Sequence, residues 1–508
     1  MRLRTTKTSS GSTAVQVVEY VKRKMIVLTH IGSAKNEEEL NGLKESALQW
    51  IKRNDKQLSL FPLEQKKQNS SSLISLDKCD YLGFKYQILY NSLKNLINLF
   101  KFHLLPDSDI LNDLVIARIA SPGSKVHLLE FLDDFFSITH HRSRLYRYLP
   151  KYVQLKDEVE ARVIRIAKRS FNFNFNIVFY DLTTLYFESF ETDELRRIGF
   201  SKDNKGSNPQ IMIGLIVNEQ GFPVSYQVFP GNKFEGHTLM PSINAIRKKH
   251  KIKNMTVVAD AAMISEQNVN FLIESKLDYI VGARMAGISI ETIKEISKQL
   301  NQENDATIRI NIKGRGELVC HFCDKRYNKD KRELEKQINK ANEILKTPSK
   351  AEIIKRAKFL ININNKNKKD KKFELNQPLI IKYRLLLGIK GYFTSHKTEN
   401  NLEIVNKYKQ LWNVERSFKI SKSDLKARPI FHTKQQAIEN HILICFMALA
   451  IAKYMEIKTQ KSIKFVIKEL KRINDARIYD RINKREVVMR SKISDEAGVI
   501  LEKLGMSY

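Results

Sequence analysis

Three carboxylates are set where a carboxylate has to be accounted for. Asp181 interrupts the apolar, β-branched run Ile177-Val178-Phe179-Tyr180-Asp181-Leu182-Thr183-Thr184-Leu185-Tyr186-Phe187. A lone acid inside such a strand is costly unless a metal ion or a hydrogen-bond partner compensates it. Asp260 ends a second run of this kind, Met255-Thr256-Val257-Val258-Ala259-Asp260, at the place where a strand gives way to a loop and α/β proteins build their sites. Glu415 lies in Tyr408-Lys409-Gln410-Leu411-Trp412-Asn413-Val414-Glu415-Arg416-Ser417-Phe418-Lys419, whose spacing is helical. Two strand acids and one helix acid could meet around a divalent ion, for which carboxylate oxygens are suitable hard ligands. The other candidates are weaker. Glu188, Asp193 and Glu194 read as loop charges, and Asp203 as outside the site. His237, His432 and His441 lack metal-ligand spacing and read as core or hydrogen-bonding residues.

The elements that must position these acids follow a definite order. Ile177 to Phe187, Gln210 to Val217 and Phe222 to Phe229 predict three antiparallel strands, with Asn218-Glu219-Gln220-Gly221 as a turn between the last two. A helix over Thr238 to His250, a strand to Ala259, a helix over Ser265 to Ser275 and a strand from Tyr279 to Arg284 come next. Three strands, then helix, strand, helix, strand, is the order of a ribonuclease-H-like α/β core. It places Asp181 and Asp260 on adjacent strands. An insertion then interrupts the core, with a hairpin of Thr307 to Ile312 and Glu317 to Phe322, a charged helix, and a lysine cluster at Lys366, Lys368, Lys369, Lys371 and Lys372. Cys320 and Cys323 form a lone Cys-x-x-Cys with no second pair nearby, which reads as a strand carrying two cysteines.

Upstream, alternating Ala14, Val15, Val17 and Val18, then Met25 to Ile31, predict a β-hairpin, followed by a helix over Glu37 to Arg53. The resulting division is 1–64, a small β/α module; 73–169, helical; 170–285, first part of the core; 286–385, a basic insertion; 386–456, last part of the core; and 457–508, a basic helical tail. Gln65 to Ser72 reads as a linker. In the helical region, Ser124 to Phe136 and the basic-aromatic stretch His140 to Tyr148 have the layout of a helix-turn-helix, with Arg142, Arg144 and Arg147 available to phosphates or base edges. The alternative is a helical bundle with a solvated basic face.

Composition narrows the function class. The 508 residues carry 88 basic against 56 acidic side chains, a formal charge of +32. That favours a polyanionic partner, nucleic acid before an anionic membrane surface. The longest purely apolar stretch, Ile442 to Ala452, is well short of the roughly 20 residues a membrane-spanning helix needs. Met1 to Lys7 leads into polar residues with no secretory pattern, and four scattered cysteines do not make a disulfide framework. A cytoplasmic, nucleoid-associated protein with no membrane partner is the expectation.

The chain resembles the DDE transposases of bacterial insertion sequences, in the branch marked by a Tyr, Arg, Glu, Lys signature around the third acid. The resemblance covers most of the chain and rests on Gly11-Ser12-Thr13, His30-Ile31-Gly32-Ser33-Ala34, Tyr180-Asp181-Leu182-Thr183-Thr184-Leu185-Tyr186-Phe187-Glu188 and Gly199-Phe200-Ser201-Lys202-Asp203. It continues in Phe229-Pro230-Gly231-Asn232, Val257 to Asp260, Asp278 to Arg284, Trp412 to Lys419, and Arg428-Pro429-Ile430-Phe431-His432. It implies that Asp181, Asp260 and Glu415 are the metal-binding acids for two Mg²⁺ ions, with Mn²⁺ an acceptable substitute. Asp181 would bridge the ions. Tyr408 takes the place of the signature Tyr and Lys422 that of the Lys, each about two turns from Glu415 on one helical face, where they could hold a phosphate. Leu411 stands where the signature has Arg, which leaves Arg416 as the nearest guanidinium; Ala261-Ala262 follow Asp260 where the family commonly has Arg-Gly. The implied activity is binding of the element's terminal inverted repeats, strand cleavage by water, and strand transfer to target DNA by a homo-oligomer. A nuclease of the same fold and a catalytically inactive DNA-binding descendant are the alternatives.

Overall fold

The computed structural model describes residues 1–9, 11–21, 24–54, 76–263, 265–312, 316–346, 358–363 and 373–506. The linker at Gln65 to Ser72 and the lysines from Lys366 to Lys372 lie outside them. The chain divides into two compact units. The first comprises Met1–Tyr90, Asp134–Ser137 and Glu469–Gly498; the second comprises Asn91–Asp133, Ile138–Lys468 and Val499–Tyr508.

In the first unit, β1 (Arg2–Lys7), β2 (Thr13–Val21) and β3 (Lys24–Ala34) form an antiparallel sheet in that order. The expected hairpin therefore gains a third strand. The helix Glu37–Asn54 covers one face, and Val15, Val17, Ala34, Leu43 and Ala47 form the buried cluster between them. A second sheet joins β4 (Cys79–Lys85) to β15 (Asp475–Asp480) and β16 (Arg485–Arg490), in the order β16-β15-β4. Two expectations are corrected here: the region from 73 to 169 includes a strand, β4, and the tail after 457 contains a β-hairpin. Both strands find their hydrogen-bonding partner near the other end of the chain, which a reading of local periodicity does not see.

The second unit is built on an eight-stranded mixed sheet, ordered β10-β11-β14-β9-β8-β5-β6-β7. Its strands are β5 (Ile177–Tyr186), β6 (Gln210–Val217), β7 (Pro223–Pro230), β8 (Thr256–Ala259), β9 (Asp278–Gly282), β10 (Thr307–Ile312), β11 (Gly316–Phe322) and β14 (Ile389–Thr394). β5 pairs antiparallel with β6 and parallel with β8, and β8 runs parallel to β9. Most of β5, β6 and β8 is buried on both faces, so these strands read as continuous apolar runs. The hairpin of the inserted region pairs with β14 and so extends this sheet. Cys320 is fully buried in it, its thiol pushed up to about 12 by burial. The rest of the insertion pairs β12 (Leu360–Asn362) with β13 (Phe373–Leu375) and packs the helices Asp324–Lys346 and Gln377–Leu385 around Leu334, Ala341, Phe359 and Ile380.

The apolar run from Ile442 lies within a 25-residue helix, Gln435–Thr459, that is buried along most of its length. It packs against β7 and the helices Asp109–Ala120 and Arg142–Tyr152. Apolar residues on all its sides belong to a helix enclosed by protein. No helix among the described residues is long and apolar enough to cross a membrane.

Candidate active site

The paired register of the parallel strands β5 and β8 ends at Tyr180 opposite Ala259, so the next residues, Asp181 inside β5 and Asp260 just past the end of β8, follow side by side. Neighbouring strands are about 4.8 Å apart. Glu415 comes from the helix Trp412–Lys419, which packs on β5 and β6. That helix is held by the turn between β6 and β7: Asn413 Nδ2 donates to Glu219 O at 2.7 Å, and the buried Ser417 Oγ donates to Gly221 O at 2.7 Å. Gly221 has φ +76, and a Cβ there would stand 2.8 Å from Asn413 O.

Asp181 is partly exposed yet closely surrounded by protein, and its carboxyl is pushed up to about 6. Burial is the main cause; Lys202 opposes it, and the charges of Asp260 and Glu415 add to it. The three acids therefore share one electrostatic environment. Asp260 is exposed; its Oδ1 accepts from Ala261 N at 2.6 Å and from Tyr408 Oη at 3.1 Å. Burial, then the charge of Asp260, hold the Tyr408 phenol far above its ordinary value. A Cβ at Gly282 would come within 2.5 Å of Tyr408 Oη, so this glycine makes room for the hydroxyl.

Two lysines that no spacing rule singled out stand beside the acids. Lys202 Nζ donates to Leu182 O at 2.7 Å and pairs with Glu235 at 3.3 Å. Lys390, on β14, has its Nζ 4.6 Å from the centre of the Tyr408 ring. Its pKa is lowered by burial and by Arg326, against the opposing charges of Asp260 and Glu415. Lys202 was within a quoted motif; Lys390 was in none.

The other expected site residues are not gathered around Glu415. The chain from Asn401 to Asp424 is not one helix: Asn401–Lys409 ends, Trp412–Lys419 begins anew, and Ile420–Asp424 is a π-helical turn. Tyr408 and Lys422 thus do not share a face with Glu415, though Tyr408 reaches the site through Asp260. Lys422 instead pairs with Asp203 at 3.2 Å, and Arg428 meets the same carboxylate at 2.5 Å. Arg416 pairs with the buried Glu456 at 3.2 Å and lies 6.0 Å from the centre of the exposed Trp412 ring. Leu411 is buried. Arg142, Arg144 and Arg147 are exposed on the helix Arg142–Tyr152, with Arg142 3.5 Å from Glu130.

The model of the family described as "Transposase DDE domain" matches residues 175–451, more than half of the 508. The chain belongs to this family. All three acids lie within the matched segment. Among solved structures, the chain is similar to a piggyBac transposase synaptic complex with hairpin DNA, at 11% identity and a TM-score of 0.37, covering 82% of this chain and 70% of that one. It is also similar to a Mos1 transposase paired-end complex with a left transposon end, at 12% identity and a TM-score of 0.16, covering 46% of this chain and 66% of that one. No curated protein matches.

Family members are in general divalent-metal dependent. Among the described residues, no group of three or more His, Cys, Asp or Glu side chains is already drawn together tightly enough to hold a metal ion. The donor chemistry nevertheless fits: three carboxylates supply hard oxygens, and the Asp181 carboxyl, raised first by burial and further by the charges of Asp260 and Glu415, is one whose charged form a nearby cation would favour.

Proposed function

We propose that the chain is an insertion-sequence transposase that binds the terminal inverted repeats of its own element and carries out metal-dependent strand cleavage and strand transfer. What supports this reading is that Asp181 and Asp260 stand on adjacent paired strands within the family-matched segment, and that the charges of Asp260 and Glu415 both bear on the Asp181 carboxyl. Three antiparallel strands followed by two parallel ones in the same sheet support a ribonuclease-H-like core, with the region from 286 to 385 as its insertion.

In this reading Asp181, Asp260 and Glu415 would hold Mg²⁺, with Mn²⁺ as a substitute. Bound divalent ions supply stabilisation of charge on the attacking and leaving oxygens of a phosphodiester. The Asp181 carboxyl keeps its proton below pH about 6 and must release it to act as a ligand. Tyr408 fixes one oxygen of Asp260 by hydrogen bonding to it, so the other would remain available as a ligand. Lys202 and Lys390 place positive charge beside the acids, where a phosphate would approach. Arg142, Arg144 and Arg147 bind the element's ends, and the protein works as a homo-oligomer on DNA in the nucleoid.

The test is one assay with labelled element ends and a plasmid target in Mg²⁺. Cut ends joined to the plasmid are the expected products. Cut ends without joining would make the protein a nuclease, and bound but intact ends would make it an inactive DNA-binding protein.

A further inference from the structure

Two motifs that the catalytic reading leaves unused meet in space. Ser121-Pro122-Gly123-Ser124-Lys125 opens the helix Lys125–Phe136, and Arg428-Pro429-Ile430-Phe431-His432 precedes the long buried helix. Between them lies a cavity of about 220 Å³ lined by Arg118, Ser124, Lys125, Lys426, Arg428 and His432 among others. That is room for several waters, and so for a tetrahedral oxyanion. Among the described residues, no carboxylate lines it.

The lining has the features of a site whose partner is negative. Arg118 is 1% exposed, and its terminal nitrogens donate to the carbonyls of Leu425 at 3.0 Å, Lys426 at 3.3 Å and Gly123 at 3.0 Å. Its Nε has no hydrogen-bond partner among the described residues. A buried guanidinium matched only with carbonyl dipoles keeps its full charge uncompensated. Lys125, 4% exposed, donates to His432 Nε2 at 2.5 Å, a neutral acceptor. Burial and Arg118 push Lys125 down to about 7; burial and Lys125 push His432 down to about 4. His441, which also lines the cavity, and Cys445 beside it are buried and bring no charge of opposite sign; His441 Nε2 lies 2.9 Å from Ala427 O and 3.6 Å from Cys445 Sγ. Among the described residues, Arg428 alone of these cavity groups meets a carboxylate, that of Asp203.

We infer that this cavity binds a phosphate group, held by Lys125, Arg118 and Arg428 with Ser124 and His432 as hydrogen-bonding partners. A phosphate matches guanidinium and ammonium donors in charge and geometry. The group is either free inorganic phosphate or a backbone phosphate of bound DNA. The inference does not depend on the catalytic reading, because none of the three acids lines the cavity.

Thermal unfolding of the full chain, in inorganic phosphate and in chloride at matched ionic strength, tests it. The parent is expected to gain about 2 °C or more in phosphate. Lys125→Met keeps the packed stem and removes the ammonium, so it is expected to fold at least as stably in chloride and to lose the gain. Repeating the measurement on the parent with saturating duplex DNA separates the sources: a gain abolished by DNA identifies a backbone phosphate, and a gain that persists identifies free phosphate. No gain in the parent, or the same gain in Lys125→Met, would overturn the assignment. His432→Gln is a second variant; it retains an acceptor for Lys125, and its gain should be reduced but not lost.

Discussion

Asp181 is the residue whose type and setting are most in conflict. Its carboxyl is raised from 3.8 to about 6, so between those values the folded chain binds more protons than the unfolded one and stability falls as pH rises. The penalty is absent below pH about 3.8 and complete above about 6. Asp181→Asn removes it. Without divalent ions the variant should be more stable than the parent at pH 8, by on the order of 1–3 kcal/mol, and equal to it near pH 4. Thermal unfolding in chelator at both values would refute this account if the variant were no more stable at pH 8. The placement of Asp181 and Asp260 was legible because an acid inside or ending an apolar run is conspicuous. Lys202 and Lys390 were not, since one lysine among many on so basic a chain carries no signal until the fold sets it beside an acid.

The helix Trp412–Lys419 shows what spacing can and cannot convey. Heptad spacing from Tyr408 to Glu415 to Lys422 suggested one face, but Gln410 and Leu411 break the helix and a π-turn follows it. Tyr408 is carried to Asp260 by its own helix and Lys422 to Asp203 by the turn. Breaks of this kind come from tertiary anchoring, here to the turn at Gly221, and leave no mark on the local pattern. Gly221→Ala forces a side chain onto a left-handed backbone, at a cost of about 1–2 kcal/mol, and against Asn413 O. The expected result is a lower unfolding midpoint and a loss of strand cleavage larger than any loss of end binding. Cleavage at the parent's rate would mean that the turn does not position Glu415.

At the scale of the whole molecule the order of strands in the core was readable from hydrophobic runs and turns. The pairing of β4 with β15 and the addition of β10 and β11 to the main sheet were not, because both join segments distant in sequence. The charge of +32 predicts affinity for DNA that falls steeply with salt as counterions are released. Replacing Arg142, Arg144 and Arg147 together should weaken binding to element ends more than replacing the lysines from Lys366 to Lys372. End binding like the parent's in the arginine variant would remove that helix from the recognition surface. Above all, the molecule must bring Glu415 to two acids that precede it by 155 positions or more (415 minus 260). Glu415→Gln preserves size and hydrogen bonding while removing one charge from the cluster. Measured in Mg²⁺ with labelled ends and a plasmid target, it should bind ends as the parent does. Cutting and joining should fall on the order of 10³-fold or more, and adding Asp181→Asn should make matters little worse, as for residues that act as one unit. Cutting and joining by Glu415→Gln at rates near the parent's would contradict the account.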